Sequence, residues 1–183
     1  MIEALIALGS TVIGTVLGWV LAKVQTGKLY VTLDNTKEEP HYVEPEIMSI
    51  PGKQANELYY MEFTFTIQLY NARQQNMAIR DCRLHFTDKS GHEILCEQAL
   101  DEATRRRYGG GTKCDSIDVF NIPAQTSANI NAVLYIFDID SFYLTNAIKF
   151  SYKTERLKTV FLPYKEIQTA EIPRFNKEAN HNG

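Results

Sequence analysis

The sequence predicts a mainly β protein, an antiparallel immunoglobulin-like β-sandwich of seven to eight strands preceded by one N-terminal transmembrane α-helix. Three observations support this fold class. The chain begins with a long uncharged run, and apolar and polar residues alternate at many places after residue 27. Aromatic residues, which favour strands, make up 11% of the chain. Many short alternating strands are typical of a sandwich or barrel.

The chain of 183 residues divides into three predicted parts. Residues 1–27 form the transmembrane helix and a short juxtamembrane connector. Residues 28–170 form the β-sandwich domain, with an insertion at about 97–116, and residues 171–183 form a flexible polar tail. A domain of this length can bury a substantial core.

The N-terminal run Ala4 to Ala22 contains no charged residue and lies between Glu3 and Lys23. At 1.5 Å per residue this helix is about 28 Å long, close to the roughly 30 Å hydrocarbon core of a bilayer. Because the run is apolar or small on every face, we interpret it as a single membrane span. A cleaved signal peptide is the alternative, although the run lacks the basic residues that precede such a peptide.

Flanking charges predict the orientation of this helix. Lys23 and Lys28 follow the span, whereas no Lys or Arg precedes it. Basic residues favour the cytoplasmic side, so we expect the N-terminus outside and the β domain in the cytoplasm. Trp19 lies at the same end of the span, and we expect it to anchor the membrane interface together with Lys23 and Lys28.

Small residues recur every fourth position along the span, at Ser10, Gly14, Gly18 and Ala22. Such a stripe allows two helices in a membrane to approach closely. It predicts association of the helix with a second copy of the chain or with another membrane protein. The expected partners are therefore the lipid bilayer and a protein.

The clearest strand signal is the alternation between residues 58 and 70, where apolar residues predict a core face. A shorter strand is predicted at 28–34, and a loop with three prolines at 35–56, within which an edge strand is expected at 46–50. Further strands are predicted at 82–86, 117–122, 128–136, 148–153 and 159–164. A helical turn capped by Asp138 or Asp140 is predicted at 138–145.

The segment Asp88 to Gly91 predicts a tight turn with glycine in the left-handed region. This turn would join two antiparallel strands in a register that pairs Phe86 with Ile94 and Leu84 with Cys96. In that register Cys96 would lie on the core face.

Three adjacent arginines, Arg105, Arg106 and Arg107, precede a run of glycines. Residues 97–107 predict a short helix, because acidic residues come early and arginines late, which complements the helix dipole. The alternative is that the arginines bind an anion such as a phosphate or a lipid headgroup.

The three cysteines, Cys82, Cys96 and Cys114, are an odd number, which is unusual for an exported disulfide-bonded domain. We expect two buried thiols and one thiol in a loop, in agreement with a cytoplasmic domain. Cys82, His85, His92 and Cys96 are close in sequence, but alternation places His85 on the face opposite to Cys82. We therefore predict no metal site.

The sequence contains no recognisable catalytic motif, so we predict neither catalytic residues nor a cofactor. The net charge of −3 and the pI of about 5.8 argue against a nucleic-acid partner. The chain is therefore expected to be a membrane-anchored, non-enzymatic binding or scaffolding protein with a cytoplasmic sandwich. Two alternatives remain: an exported adhesion module tethered to the membrane, and an enzyme or anionic-ligand binder with a site assembled from loops.

Overall fold

The computed structural model describes residues 27–44, 51–109 and 111–175. Within these ranges, no helix combines the length and the apolar character needed to cross a bilayer. The predicted transmembrane helix lies outside the described residues. The same holds for its site residues Ser10, Gly14, Gly18, Trp19, Ala22 and Lys23, whereas Lys28 is described and exposed.

The described chain forms two packed antiparallel sheets, which confirms the predicted sandwich. Ten strands are present rather than seven to eight. They are β1 (Leu29–Tyr42), β2 (Leu58–Asn71), β3 (Met77–Thr87), β4 (Glu93–Gln98), β5 (Leu100–Tyr108), β6 (Gly111–Ser116), β7 (Val119–Ile122), β8 (Ser127–Ile136), β9 (Ala147–Thr154) and β10 (Thr159–Glu166). A short helix α1 (Ile139–Tyr143) follows β8, and a 3-10 helix spans Thr169–Glu171.

The first sheet has the strand order β1-β2-β8-β5-β6, and the second has the order β10-β9-β3-β4. Strand β7 pairs with the first half of β3, along the same edge that β4 occupies further on. Alternating apolar side chains from both sheets meet in one core, as the pattern in β2 predicts. Met61, Phe63, Phe65, Ile67 and Leu69 of β2 are all buried there.

Helix α1 closes one end of the core. Its residue Phe142 is fully buried and contacts both sheets, with ring centroids 5.9 Å from Phe63 and 6.4 Å from Phe86. Asp138 caps the helix, since its carboxylate accepts a hydrogen bond from the Ser141 amide at 3.1 Å. The predicted cap at this position is confirmed.

The first strand is longer than predicted, because residues 35–42 continue β1 instead of forming a loop. The ladder with β2 is interrupted between Asp34 and Lys37, where Asn35 adopts a φ of 54°, and then resumes. Pro40 is tolerated because β1 is an edge strand, on which a missing N–H need not break a ladder. The predicted edge strand at 46–50 lies outside the described residues.

The turn after β3 is confirmed, but the predicted register of β3 and β4 is wrong by one residue. Gly91 has a φ of 82°, and its amide donates to the Asp88 carbonyl at 3.0 Å. A bulge then leaves Ile94 unpaired, so that Phe86 pairs with Leu95 and His85 pairs with Cys96. Cys96 therefore shares the outer face with His85 and not the core face with Cys82.

The helix predicted at 97–107 is wrong, because these residues form the end of β4 and most of β5. Strand β5 pairs with β6, and Tyr108 pairs with Gly111 across the turn that the glycines form. The arrangement of charges matched a helix dipole, but the segment lacks the apolar periodicity that would pack a helix. Cys114 lies in β6 and is buried, so the prediction of a loop thiol is also wrong.

The predicted tail beginning at residue 171 is described as far as Phe175. Phe175 forms a bridge with Glu57, and the Leu58 amide donates to the Arg174 carbonyl at 2.8 Å. Residues 171–175 therefore lie against the start of β2.

Candidate functional site

The candidate site is a concave surface on the first sheet, which we call the aromatic groove. Its volume is about 600 Å³. It is lined by Tyr59, Tyr60, Leu100, Gly111, Thr112, Lys113, Cys114, Tyr135 and Phe137. Five of these residues belong to the segment 97–116, so the predicted insertion forms one wall of the groove.

The opposite wall is a cluster of aromatic rings from β2 and the end of β8. Tyr60 occupies its centre, with ring centroids 5.5 Å from Tyr59, 5.9 Å from Tyr135 and 5.4 Å from Phe137. His41 of β1 stacks on the other side of Tyr60 at 4.3 Å. Phe137 is 58% exposed, although it touches two of these rings. The cluster therefore presents a large apolar surface to solvent.

Strand alternation explains why Tyr60 and Tyr135 face outward. In β2, the side chains of Met61 and Phe63 point into the core. In β8, the side chains of Leu134 and Ile136, on either side of Tyr135, do the same. Since successive side chains point to opposite faces, both tyrosines must lie on the outer face. The sequence pattern carried this signal, but an isolated outward tyrosine is common on sheets and does not by itself indicate a site.

The wall formed by β5 and β6 results from a wide bulge. Strand β5 pairs with β8 only at Leu100 and Asp101. Strand β5 pairs with β6 at Leu100 and Asp101 and then not again until Arg106. Within the bulge, the Thr104 hydroxyl donates to the Asp101 carbonyl at 2.7 Å and accepts from the Asp115 amide at 2.7 Å. These bonds bridge the bulge within the β5–β6 hairpin.

An ion pair lies beside the aromatic rings. The Arg105 guanidinium donates to the carboxylate of Glu62 at 2.6 Å, and Glu62 is almost fully buried. His41 Nε2 lies 3.5 Å from the same carboxylate. The bulge thus directs Arg105 back over the sheet, where it neutralises a carboxylate that the rings partly shield from water.

The tyrosine hydroxyls near this pair stay protonated at neutral pH. Burial raises the pKa of Tyr60, and burial together with the charge of Glu62 raises the pKa of Tyr135. The Tyr135 hydroxyl lies 4.0 Å from the sulfur of Cys114. The groove therefore combines apolar ring faces with neutral hydroxyl groups.

The structure separates the three predicted anion-binding arginines. Arg105 is paired with Glu62 and with Glu102, and Arg106 lies 3.4 Å from Asp115. Arg107 is exposed near the hairpin turn. The three guanidinium groups do not converge, and two of them are already neutralised, so this geometry gives an anionic ligand little advantage.

A second cluster lies on the outer face of the second sheet. His85 Nδ1 is 2.5 Å from the Glu93 carboxylate, and His85 Nε2 is 2.7 Å from the hydroxyl of Ser151. Cys96 faces His85 across the β3–β4 ladder. The one-residue shift in register brought these side chains together, which is why the sequence reasoning missed them.

No curated protein sequence matches the chain, whereas several solved structures are similar in part. A Northeast Structural Genomics Consortium target has a TM-score of 0.38 and 15% identity, covering 81% of this chain and 92% of its own. An uncharacterised β-sandwich protein from Clostridium difficile 630 has a TM-score of 0.35 and 14% identity, over 75% and 86% of the two chains. The putative ApaA protein from Bordetella pertussis has a TM-score of 0.33 and 14% identity, over 76% and 90%.

The family match covers most of the described structure. Residues 27–163 match the YopI Ig-like domain, and this range begins two residues before β1 and ends within β10. The aromatic groove and both sheets, apart from the last three residues of β10, lie inside it. The chain therefore belongs to the YopI Ig-like domain family.

Proposed function

We propose that this chain is a membrane-anchored, non-enzymatic binding or scaffolding protein whose Ig-like sandwich binds a protein partner in the cytoplasm. The aromatic groove carries this proposal. Tyrosine, phenylalanine and arginine are enriched in the centres of protein interfaces, where large rigid rings fill pockets at little cost in entropy. Four such rings line the groove, and Glu62, which follows Tyr60 by two residues in β2, holds the Arg105 guanidinium nearby.

The expected ligand is an extended protein segment with an apolar side chain for the groove. Strand β6 lies at the edge of the first sheet and also lines the groove. An added strand would find backbone hydrogen-bonding groups along this edge, as in other cases of strand addition. Its side chains would contact Phe137 and the ring of Tyr59.

Affinity purification of the full chain from solubilised membranes of the native host tests this interaction. We expect the double variant Tyr59→Ala and Phe137→Ala to lose at least nine tenths of the specific partner, since removing interface anchors costs about 2 kcal/mol or more each. The matched control is Leu157→Ala, which removes an equally exposed apolar side chain at 64% exposure outside the groove. Equal recovery with both variants would contradict the proposal.

Two features support membrane anchoring. The first is the uncharged N-terminal run, and the second is a set of exposed side chains at the end of the sandwich where β1 begins. Tyr30 and Tyr70 stack there with centroids 6.1 Å apart, and both rings are exposed. Lys28 and Arg156 lie at this same end. Exposed aromatic and basic side chains are typical of surfaces at the level of lipid headgroups. The groove lies toward the opposite end, where a partner would have free access.

Cysteine labelling of intact cells tests the predicted orientation. Because Cys82 and Cys114 are buried, an exposed reporter is required, and Ser90→Cys in the turn after β3 provides one. A membrane-impermeant maleimide should label this position only after the cells are opened. If intact cells carrying Ser90→Cys are labelled more strongly than cells carrying the unsubstituted chain, the exported adhesion module is favoured.

The small-residue stripe is proposed to mediate association of the anchors. Replacing Gly14 and Gly18 with isoleucine should reduce self-association in a membrane reporter assay, because bulky side chains prevent close backbone contact. Replacing Leu17 with isoleucine is the matched control. If the glycine variant associates as strongly as the control, the stripe has no role in assembly.

A further inference from the structure

We infer that His85, Glu93 and Cys96 form a binding site for a divalent metal ion of the zinc type. One ligand atom from each side chain lies within 4.8 Å of the other two. In a tetrahedral zinc site neighbouring ligand atoms are about 3.5 Å apart. An ion would therefore replace the hydrogen bond between His85 Nδ1 and the Glu93 carboxylate, which are 2.5 Å apart, and would hold these two atoms further from each other. Imidazole, carboxylate and thiolate are all ordinary zinc ligands.

The local strands hold these side chains on one face. His85 and Cys96 are directly opposite each other in the β3–β4 ladder, and Glu93 follows on the same face after the bulge at Ile94. The bulge is therefore part of the site, because without it Cys96 would point toward the core. Glu93 has a side chain that is 53% exposed and can adjust to an ion, whereas His85 is fixed by its surroundings.

The groups around the cluster resemble those that usually support metal ligands. Ser151 hydrogen-bonds His85 Nε2 at 2.7 Å, which directs Nδ1 toward Glu93 and Cys96. Arg83 Nη1 lies 4.0 Å from the sulfur of Cys96, where it would stabilise a thiolate. Asp81 lies 2.6 Å from Arg83 and 2.6 Å from Lys153, so its carboxylate offsets part of the positive charge beside the cluster.

Three protein ligands leave a fourth position for water or another ligand. A surface cavity of about 440 Å³ adjoins the cluster and is lined by His85, Glu93, Lys149 and Phe161, among others. A bound ion would therefore be reachable from solvent. Three protein ligands with an open position distinguish this arrangement from a closed structural zinc site.

Cobalt and zinc titrations of the full chain test the site directly. The protein is purified in detergent, reduced and stripped of metal, and then titrated with Co²⁺ alone. We expect one equivalent to bind, with a thiolate-to-cobalt charge-transfer absorption in the near ultraviolet and displacement of the cobalt by Zn²⁺. Absence of this absorption in the wild-type chain would overturn the inference.

Matched cysteine variants assign the thiolate. Cys96→Ser should abolish the charge-transfer band, whereas Cys114→Ser should retain it, because Cys114 lies in β6 of the other sheet. Cys82 is present in both variants, and burial raises its pKa to about 12, which keeps it protonated. Retention of the band in Cys96→Ser, or its loss in Cys114→Ser with an unchanged circular dichroism spectrum, would contradict the assignment.

Two further variants test the site without replacing His85, which is buried in the fold. Glu93→Gln alters an exposed side chain and should weaken zinc binding, while Ser151→Ala should weaken it about 10-fold to 100-fold through loss of histidine orientation. In addition, Zn²⁺ should raise the Tm of wild type and of Cys114→Ser but not of Cys96→Ser. Equal zinc affinity in wild type and Glu93→Gln would count against the site.

Discussion

The buried carboxylate of Glu62 depends on a single close cationic partner in the described structure. Arg105 donates to it at 2.6 Å, whereas His41 stays at 3.5 Å. A buried carboxylate that loses its cationic partner destabilises the folded state. The free energy lost in this way is larger than the net stabilisation that the intact pair provides. This residue-scale feature links the stability of the sandwich to the shape of the aromatic groove.

Replacing Arg105 with alanine should therefore destabilise the protein. We expect a loss of about 1–3 kcal/mol in the free energy of unfolding, smaller than for a fully buried pair because Arg105 is one-third exposed. Chemical denaturation of the full chain in detergent measures the change. Arg107→Ala, which removes an exposed arginine two residues away, should change the free energy by less than about 0.5 kcal/mol.

A second prediction at this scale concerns Asp81, whose pKa is lowered by hydrogen bonds from Lys153 and Arg83. A lowered folded-state pKa stabilises the protein above the unfolded value of about 3.9 and loses this contribution as the pH falls below it. Asp81→Asn should cost about 1–2 kcal/mol at pH 7 and progressively less as the pH falls below about 3.9. Asparagine suits the site because residue 81 has a φ of 52°, which asparagine tolerates. A cost that is independent of pH would contradict this account.

At the scale of the elements, one side chain bridges the bulge in the hairpin β5–β6. Thr104 bonds both the Asp101 carbonyl and the Asp115 amide, each at 2.7 Å. Thr104→Val retains the shape but removes both bonds, so we expect a loss of about 1–2 kcal/mol and faster hydrogen exchange at the Asp115 amide. Thr112→Val, on an exposed position of β6, is the control. Unchanged exchange at Asp115 in the Thr104 variant would show that other contacts hold the bulge.

The elements also show which parts of the fold were predictable. Strands β2 and β8 alternate strictly, because one face is core and the other is solvent, and their prediction is confirmed. Strand β5 lies next to the edge strand β6, and none of its side chains is fully buried, so it lacks the alternating pattern of a core strand. Its acidic residues come first and its arginines last, which is the order of charges that favours a helix. The bulges at Asp34, Ile94 and Asp101 shift registers by local hydrogen bonds that alternation does not encode.

The same reason explains why neither site was predicted. One wall of the aromatic groove comes from the hairpin that is bulged after Asp101, and the metal cluster requires the bulge at Ile94. Both are long-range consequences of irregular backbone rather than motifs in the sequence. The residues themselves, such as Tyr60 and His85, are unremarkable until the strands are paired.

For the whole molecule, Gly27 determines how the sandwich begins. A Cβ atom at this position would lie 2.0 Å from the carbonyl oxygen of Ala72, and Arg73 donates to the Gly27 carbonyl at 3.0 Å. Gly27→Ala should therefore displace the start of β1 and destabilise the domain by about 1–3 kcal/mol, measured as a lower Tm. Ser90→Ala, in an exposed turn, should leave the Tm unchanged, and equal Tm values would show that the start of β1 can move freely.

The central claim is that the aromatic groove of an anchored Ig-like domain binds a protein, and photo-crosslinking in intact cells tests it most directly. The probe p-benzoylphenylalanine is placed at position 137, inside the groove, or at position 157, which is equally exposed but outside it. The account predicts one discrete protein adduct in the membrane fraction from position 137, none from position 157, and its loss when Tyr59→Ala is added. No adduct from position 137, or the same adduct from both positions, would contradict the account.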